Sequence, residues 1–86
     1  KYNFNYNKIY IKNQKTIWGS CSNKNNINLN ARLLHLGQKL IDYVILHELV
    51  HTKIKNHSKD FWSTLNIYVG DSKFYDKQLR NYKIVH

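Results

Sequence analysis

The segment His47-Glu48-Leu49-Val50-His51 holds the side chains best suited to chemistry in this 86-residue chain. Its pattern, H-E-x-x-H, puts two imidazoles one helical turn apart on nearly the same side of a helix. At 100° per residue they stand about 40° apart around the axis and ~6 Å along it. Two nitrogens so placed can converge on one Zn2+ at about 2.0–2.1 Å per bond. Glu48 is rotated off that seam, where it reaches a water beside the metal without ligating, the placement a general base needs. Random shuffling of five His and one Glu through the chain yields this motif in only about 0.3% of cases. Glu48 is also the only Glu in the sequence. A pair of ordinary surface histidines fits poorly, because these polar groups interrupt an otherwise apolar helix, where unpaired ionisable groups are costly.

A third ligand is required, and with no second Glu it must come from elsewhere. His57 lies six residues beyond His51. In an unbroken helix it would sit ~9 Å further along and on another face, so the chain has to leave the helix within Lys53-Ile54-Lys55-Asn56. Asn56 is suited to the left-handed position that ends helices. The spacing equals that of the metzincin pattern H-E-x-x-H-x-x-G-x-x-H, but Ile54 replaces its turn glycine, which argues against a true metzincin. Asp60 is the alternative third ligand. A structural zinc site closes all four positions with protein ligands, usually including Cys. Here the single cysteine, Cys21, lies far off in sequence, so three ligands and an open catalytic position are expected, with one zinc per chain.

These residues need elements to hold them. From Leu40 to Val50 apolar side chains are almost continuous, which predicts a buried helix. Ser58 is a good N-cap for a second helix carrying Phe61, Trp62, Leu65 and Tyr68 on one face. Gly70-Asp71-Ser72 breaks it, and residues 73–82 read as a short third helix. Upstream, residues 2–12 alternate with a parity slip near Asn7, and 15–21 and 26–30 are two further strand candidates. Ser22-Asn23-Lys24-Asn25 is the turn between them, since Asn tolerates left-handed backbone. The expectation is an α+β domain: about three antiparallel strands packed on an active-site helix, plus two more helices.

The string Trp18-Gly19-Ser20-Cys21-Ser22, then Ile27-Asn28-Leu29-Asn30 with Arg32-Leu33, then Ile41-Asp42-Tyr43-Val44 leading into H-E-L-V-H, closely resembles one family. Asn56-His57-Ser58 followed by Phe61-Trp62 extends the likeness. Together they resemble the YgjP-like metallopeptidases, zinc-dependent hydrolases of zincin type, from about Trp18 to Trp62. The resemblance implies a minimal zincin fold with an edge strand above the active-site helix. It also implies His47, His51 and His57 as zinc ligands and Glu48 as catalytic acid/base. Asn25-Asn26 stands where the family's hairpin turn is expected to carry glycine. The DNA-associated SprT-like proteases share a similar layout and are a cousin reading.

Composition bounds the rest. The length suits one domain, residues 1–86, and the absence of Met suggests the C-terminal catalytic part of a longer chain. One cysteine excludes an intrachain disulfide, and no apolar run approaches the ~18 residues of a membrane span. A cytoplasmic setting is therefore expected. The formal charge of +9 admits a nucleotide or nucleic-acid partner. Twelve of the fourteen basic residues are scattered Lys beside twelve Asn, which points instead to A+T-rich coding. The expected substrate is a peptide or protein; a nucleotide phosphoanhydride is the alternative, and a non-catalytic nucleic-acid-binding module with a structural zinc is the rival from another class.

Several other residues have a more ordinary reading. Trp18 and Trp62 are expected in the core and Cys21 as a small buried filler. Asn28 and Asn30 share a face of what is expected to be the edge strand, and are substrate-binding candidates by strand addition. Asp42 is read as a helix-start charge, and His35 as an exposed loop residue. Tyr68, Tyr75, Tyr82 and Arg80 are open candidates for stabilising an oxyanion.

Overall fold

Alternation makes strands and the 3.6-residue period makes helices, and both appear where the pattern changes. The structure, a computed structural model, describes residues 4–14 and 17–82. Lys15 and Thr16 of the second expected strand lie outside the described residues, as do residues 2 and 3 of the first, and His86. The elements run β1 (Ile9–Lys12), β2 (Gly19–Cys21), β3 (Ile27–Asn30), a 3-10 turn (Ala31–His35), α1 (Gln38–Val50), α2 (Lys59–Val69) and α3 (Ser72–Arg80). This is the expected α+β arrangement of three strands and three helices. His35 lies in the 3-10 turn and is exposed.

The sheet departs from the expectation in one respect: it is mixed. β3 is central, in the order β1-β3-β2. β2 pairs with β3 antiparallel, Gly19 opposite Leu29 and Cys21 opposite Ile27. β1 pairs with β3 parallel, Ile9 opposite Ile27 and Lys12 opposite Asn30. Alternation tells which face a residue takes, but not which strand lies beside which. β1 ends and β2 begins on opposite sides of the C-terminal end of β3, a gap of two strand spacings or about 9.6 Å. Asn30 holds that crossing. Its buried side chain donates to the Gln14 and Ile17 carbonyls at 3.1 and 2.8 Å and accepts from Arg32 N at 2.9 Å.

The parity slip in the first segment is a bend at Asn7, whose N–H donates to the Asn25 carbonyl at 2.8 Å. The β2–β3 turn closes through Ser22 and Asn26, with Asn25 at φ 61°, so Asn does serve where glycine is usual. β3 turns Ile27 and Leu29 inward onto α1, joining Leu33, Leu40, Tyr43, Val44, Val50, Phe61 and Leu65 in one core. Asp42 is not in the first turn of α1; it is exposed and its carboxylate accepts from Gln38 Nε2 at 2.8 Å. Ser58 caps α2 as expected, accepting from Phe61 N. Gly70, at φ 84°, ends α2 in a conformation that side chains resist. Asp71 then caps α3. Among the described residues no helix is long and apolar enough to cross a membrane.

Candidate metal centre

Helix α1 delivers His47 and His51 from its last turn, and His51 itself is the C-cap. Beyond it the backbone makes one more tight turn, with Lys53 N and Ile54 N both donating to the Val50 carbonyl. The chain then doubles back. Asn56 does not take the left-handed position expected of it, since Asn25 is the only non-glycine residue with positive φ among those described. Instead its side chain accepts from Ser58 N at 3.2 Å, setting up the cap of α2.

That reversal brings His57 back to the pair. One ligand atom from each of His47, His51 and His57 lies within 4.8 Å of the other two. His51 Nε2 and His57 Nε2 are 3.2 Å apart. Two nitrogens bound to one tetrahedral zinc at about 2.0–2.1 Å would be ~3.3 Å apart, so the spacing fits. Tautomers fit too. His51 Nδ1–H donates to the Ile54 carbonyl at 2.9 Å, which leaves Nε2 as the lone-pair donor. Burial is the largest influence on His51 and lowers its pKa, keeping the ring neutral. The nearby His47 and His57 act in the same direction, while the Ile54 carbonyl opposes them. The three residues present could therefore hold a metal ion.

Asp60, the alternative ligand, sits exposed in the first turn of α2 and outside this group. Glu48 is buried, and its Oε2 is 3.1 Å from His47 Nδ1. A carboxylate only accepts, so that nitrogen donates and His47 Nε2 is left to ligate. Above Glu48 runs β2. A Cβ at Gly19 would fall 3.1 Å from Glu48 Cγ and 3.2 Å from the Asn28 carbonyl oxygen. A side chain at this position would press on the carboxylate, which would have to give by a few tenths of an ångström.

Phe61 is the residue whose part the sequence did not disclose. It is fully buried and stacks on His51 at 4.3 Å between ring centroids. It also meets His47 and His57 edge-on, each at 5.0 Å. One ring thus floors all three imidazoles. Its apolar character marks it for the core, but its contact with the imidazoles depends on how α2 meets α1.

Asn28 and Asn30 lie on the central strand, not on an edge, because β3 is paired on both sides. Strand addition beside them is closed. Asn30 is spent on the crossing loop, and Asn28 Nδ2 donates to Ser20 Oγ at 3.4 Å. Of the oxyanion candidates, Tyr68 packs on Phe4, Tyr75 stacks on Tyr43, Arg80 pairs with Asp76 and Tyr82 is exposed. Trp62 stays half-buried beside His57, at 5.9 Å, with Lys73 over its ring. Cys21 is half-buried rather than buried, with Lys55 Nζ 3.7 Å from its Sγ; burial raises its thiol pKa while that charge opposes the rise.

The fold is similar to that in the crystal structure of the metallopeptidase zymogen of Pyrococcus abyssi abylysin. The TM-score is 0.77 at 24% identity, over 91% of this chain and 82% of that one. No curated protein matches the chain. The family model of the YgjP-like metallopeptidase domain matches residues 1–82, essentially the whole chain, and the protein belongs to that family.

Proposed function

We propose that the protein is a zinc-dependent peptidase in which His47, His51 and His57 hold the metal and Glu48 is the general acid/base. The observation that carries this reading is three histidine donor atoms within 4.8 Å of one another, with a buried carboxylate on the neighbouring residue. Zinc held there supplies Lewis acidity, polarising water and the scissile carbonyl.

The chain's own residues do the rest. Glu48 takes a proton from the attacking water as the new C–O bond forms. It returns that proton to the amine nitrogen as the C–N bond breaks. His47 Nδ1, donating to Oε2, and the close strand at Gly19 hold the carboxylate in place.

A peptide is favoured over a nucleotide because an open strand edge runs beside Glu48. Trp18 O accepts from Asn30 N, and Ser22 N donates to Asn26 O. Antiparallel pairing alternates, so Gly19 and Cys21 turn their N–H and C=O outward. An extended backbone can add there by strand augmentation, with Glu48 directly beneath Gly19. Strand addition is thus assigned to β2 in place of β3.

The test is Glu48→Gln in zinc-loaded protein, assayed on a mixed peptide library. Turnover should fall by at least ~10²-fold, the scale of one acid–base group, while zinc content and melting temperature hold. A zinc-loaded Gln variant with undiminished cleavage overturns the reading.

A further inference from the structure

A cavity of about 260 Å³ opens between β2, α1 and α3, and His47 and Glu48 form part of its lining. It is smaller than the roughly 300–1,000 Å³ of small-molecule sites, and suits a single side chain. Ile17, Trp18, Val44 and Leu79 supply apolar walls. Asp76 and Tyr43 supply the polar part of the lining away from the zinc site, and Tyr43 OH donates to Asp76 Oδ1 at 3.2 Å.

The described lining away from the metal ligands differs in sign from the molecule as a whole. The chain carries +9, with fourteen basic and five acidic residues, yet among the described residues no Lys or Arg lines this cavity and Asp76 does. Asp76 is three-quarters buried and, among the described residues, pairs with one cation, Arg80, at 2.7 Å. The Arg80 side chain is 74% exposed. A pair of that kind is held weakly, because water and salt screen it, so an incoming cation can exchange with it.

We propose that this cavity seats one side chain of the peptide substrate and that Asp76 selects a lysine or arginine there. The apolar walls take the methylene stem. Asp76 then receives the cationic tip by a charge-assisted hydrogen bond, and Arg80 moderates the preference by competing for the same carboxylate. This assignment rests on the peptidase reading, and deepens it by naming the residue that chooses the substrate.

The experiment uses zinc-loaded protein and a peptide series varied on either side of the scissile bond with lysine, acetyl-lysine, leucine or glutamate. Acetyl-lysine keeps the stem and removes the charge. Lysine should exceed acetyl-lysine in kcat/KM by about tenfold or more, as one charge-assisted bond implies. Asp76→Asn should bring the two to parity, and Arg80→Gln should widen the gap. Cleavage that treats lysine and acetyl-lysine alike, or an unchanged ratio in Asp76→Asn, overturns the proposal and leaves the peptidase reading standing. Should no peptide be cleaved, that reading fails, and the indole N–H signal of Trp18 in NMR decides the pocket. N-acetyl-lysine amide should shift it, N-acetyl-norleucine amide should not, and Asp76→Asn should abolish the shift. No shift with the lysine probe refutes the assignment.

Discussion

Gly19 and Glu48 touch across the gap between strand and helix, so closely that a single methyl group at Gly19 would lie 3.3 Å from Glu48 Oε2 and 3.1 Å from its Cγ. The backbone of the candidate substrate strand and the candidate base are therefore positioned by one contact. Gly19→Ala should push the carboxylate aside by a few tenths of an ångström. A 1 Å misplacement costs about 10²-fold in rate, so a drop of roughly 3–10-fold in kcat is expected, with zinc content unchanged. Zinc analysis beside steady-state kinetics checks it; unaltered kcat would show that the carboxylate has room to spare.

His57 should contribute to stability as well as ligation, because a metal that binds only the folded state stabilises it. His57→Ala is expected to lower zinc occupancy and melting temperature together. Asp60→Ala should change neither. Chelation of the wild-type protein should reproduce the loss in melting temperature, which calorimetry with and without added zinc will measure.

Phe61 is predicted to act on the metal through the orientation of the rings it supports. Phe61→Leu keeps the site apolar but removes three carbons, and should cost about 1–3 kcal/mol of stability. It removes the flat surface under His51, and zinc affinity should fall on the order of tenfold, the low end of what outer-shell partners contribute. Competition with a calibrated chelator reads the affinity directly. A variant with native affinity would reduce Phe61 to a core residue.

Tyr43 sets an alkaline limit. Burial is the main cause that raises its phenol pKa, with the Asp76 charge and hydrogen bond adding to it. The folded chain then keeps a proton that the unfolded chain releases near pH 10. Its contribution is complete below about pH 10 and shrinks as the pH rises further. Tyr43→Phe should destabilise by about 1–2 kcal/mol at neutral pH, for the lost bond to Asp76. The gap between wild type and variant should narrow above pH ~10; urea unfolding at several pH values decides it.

The helices were legible because their signals are local. The apolar run from Leu40 to Val50, the cap at Ser58 and the break at Gly70 each act within a turn of their own position. The H-E-x-x-H spacing and the return of His57 were legible for the same reason: all depend on separations of at most six residues. Strand order was not. Ile9 through Lys12 alternates the same way whether it pairs with β2 or β3, and only the chain path that Asn30 ties down decides. Asn28 and Asn30 read as a free polar face for that reason, while one of them in fact ties a loop. Phe61 showed only its apolar character; its place under three imidazoles depends on how α2 meets α1, which no single segment encodes.

All three imidazoles come from residues 47–57, whereas the contact that aligns Glu48 comes from Gly19, 29 positions upstream. Short loops close quickly and at little entropic cost, while distant contacts form late. On the proposed ligand set, the donor nitrogens are therefore gathered by a short stretch of chain, while the alignment of Glu48 waits on a distant contact. A fragment holding only α1 and α2 has every donor nitrogen but no strand over Glu48. On that ligand set, metal content alone would then not count competent enzyme, because the strand over Glu48 has to be in place as well.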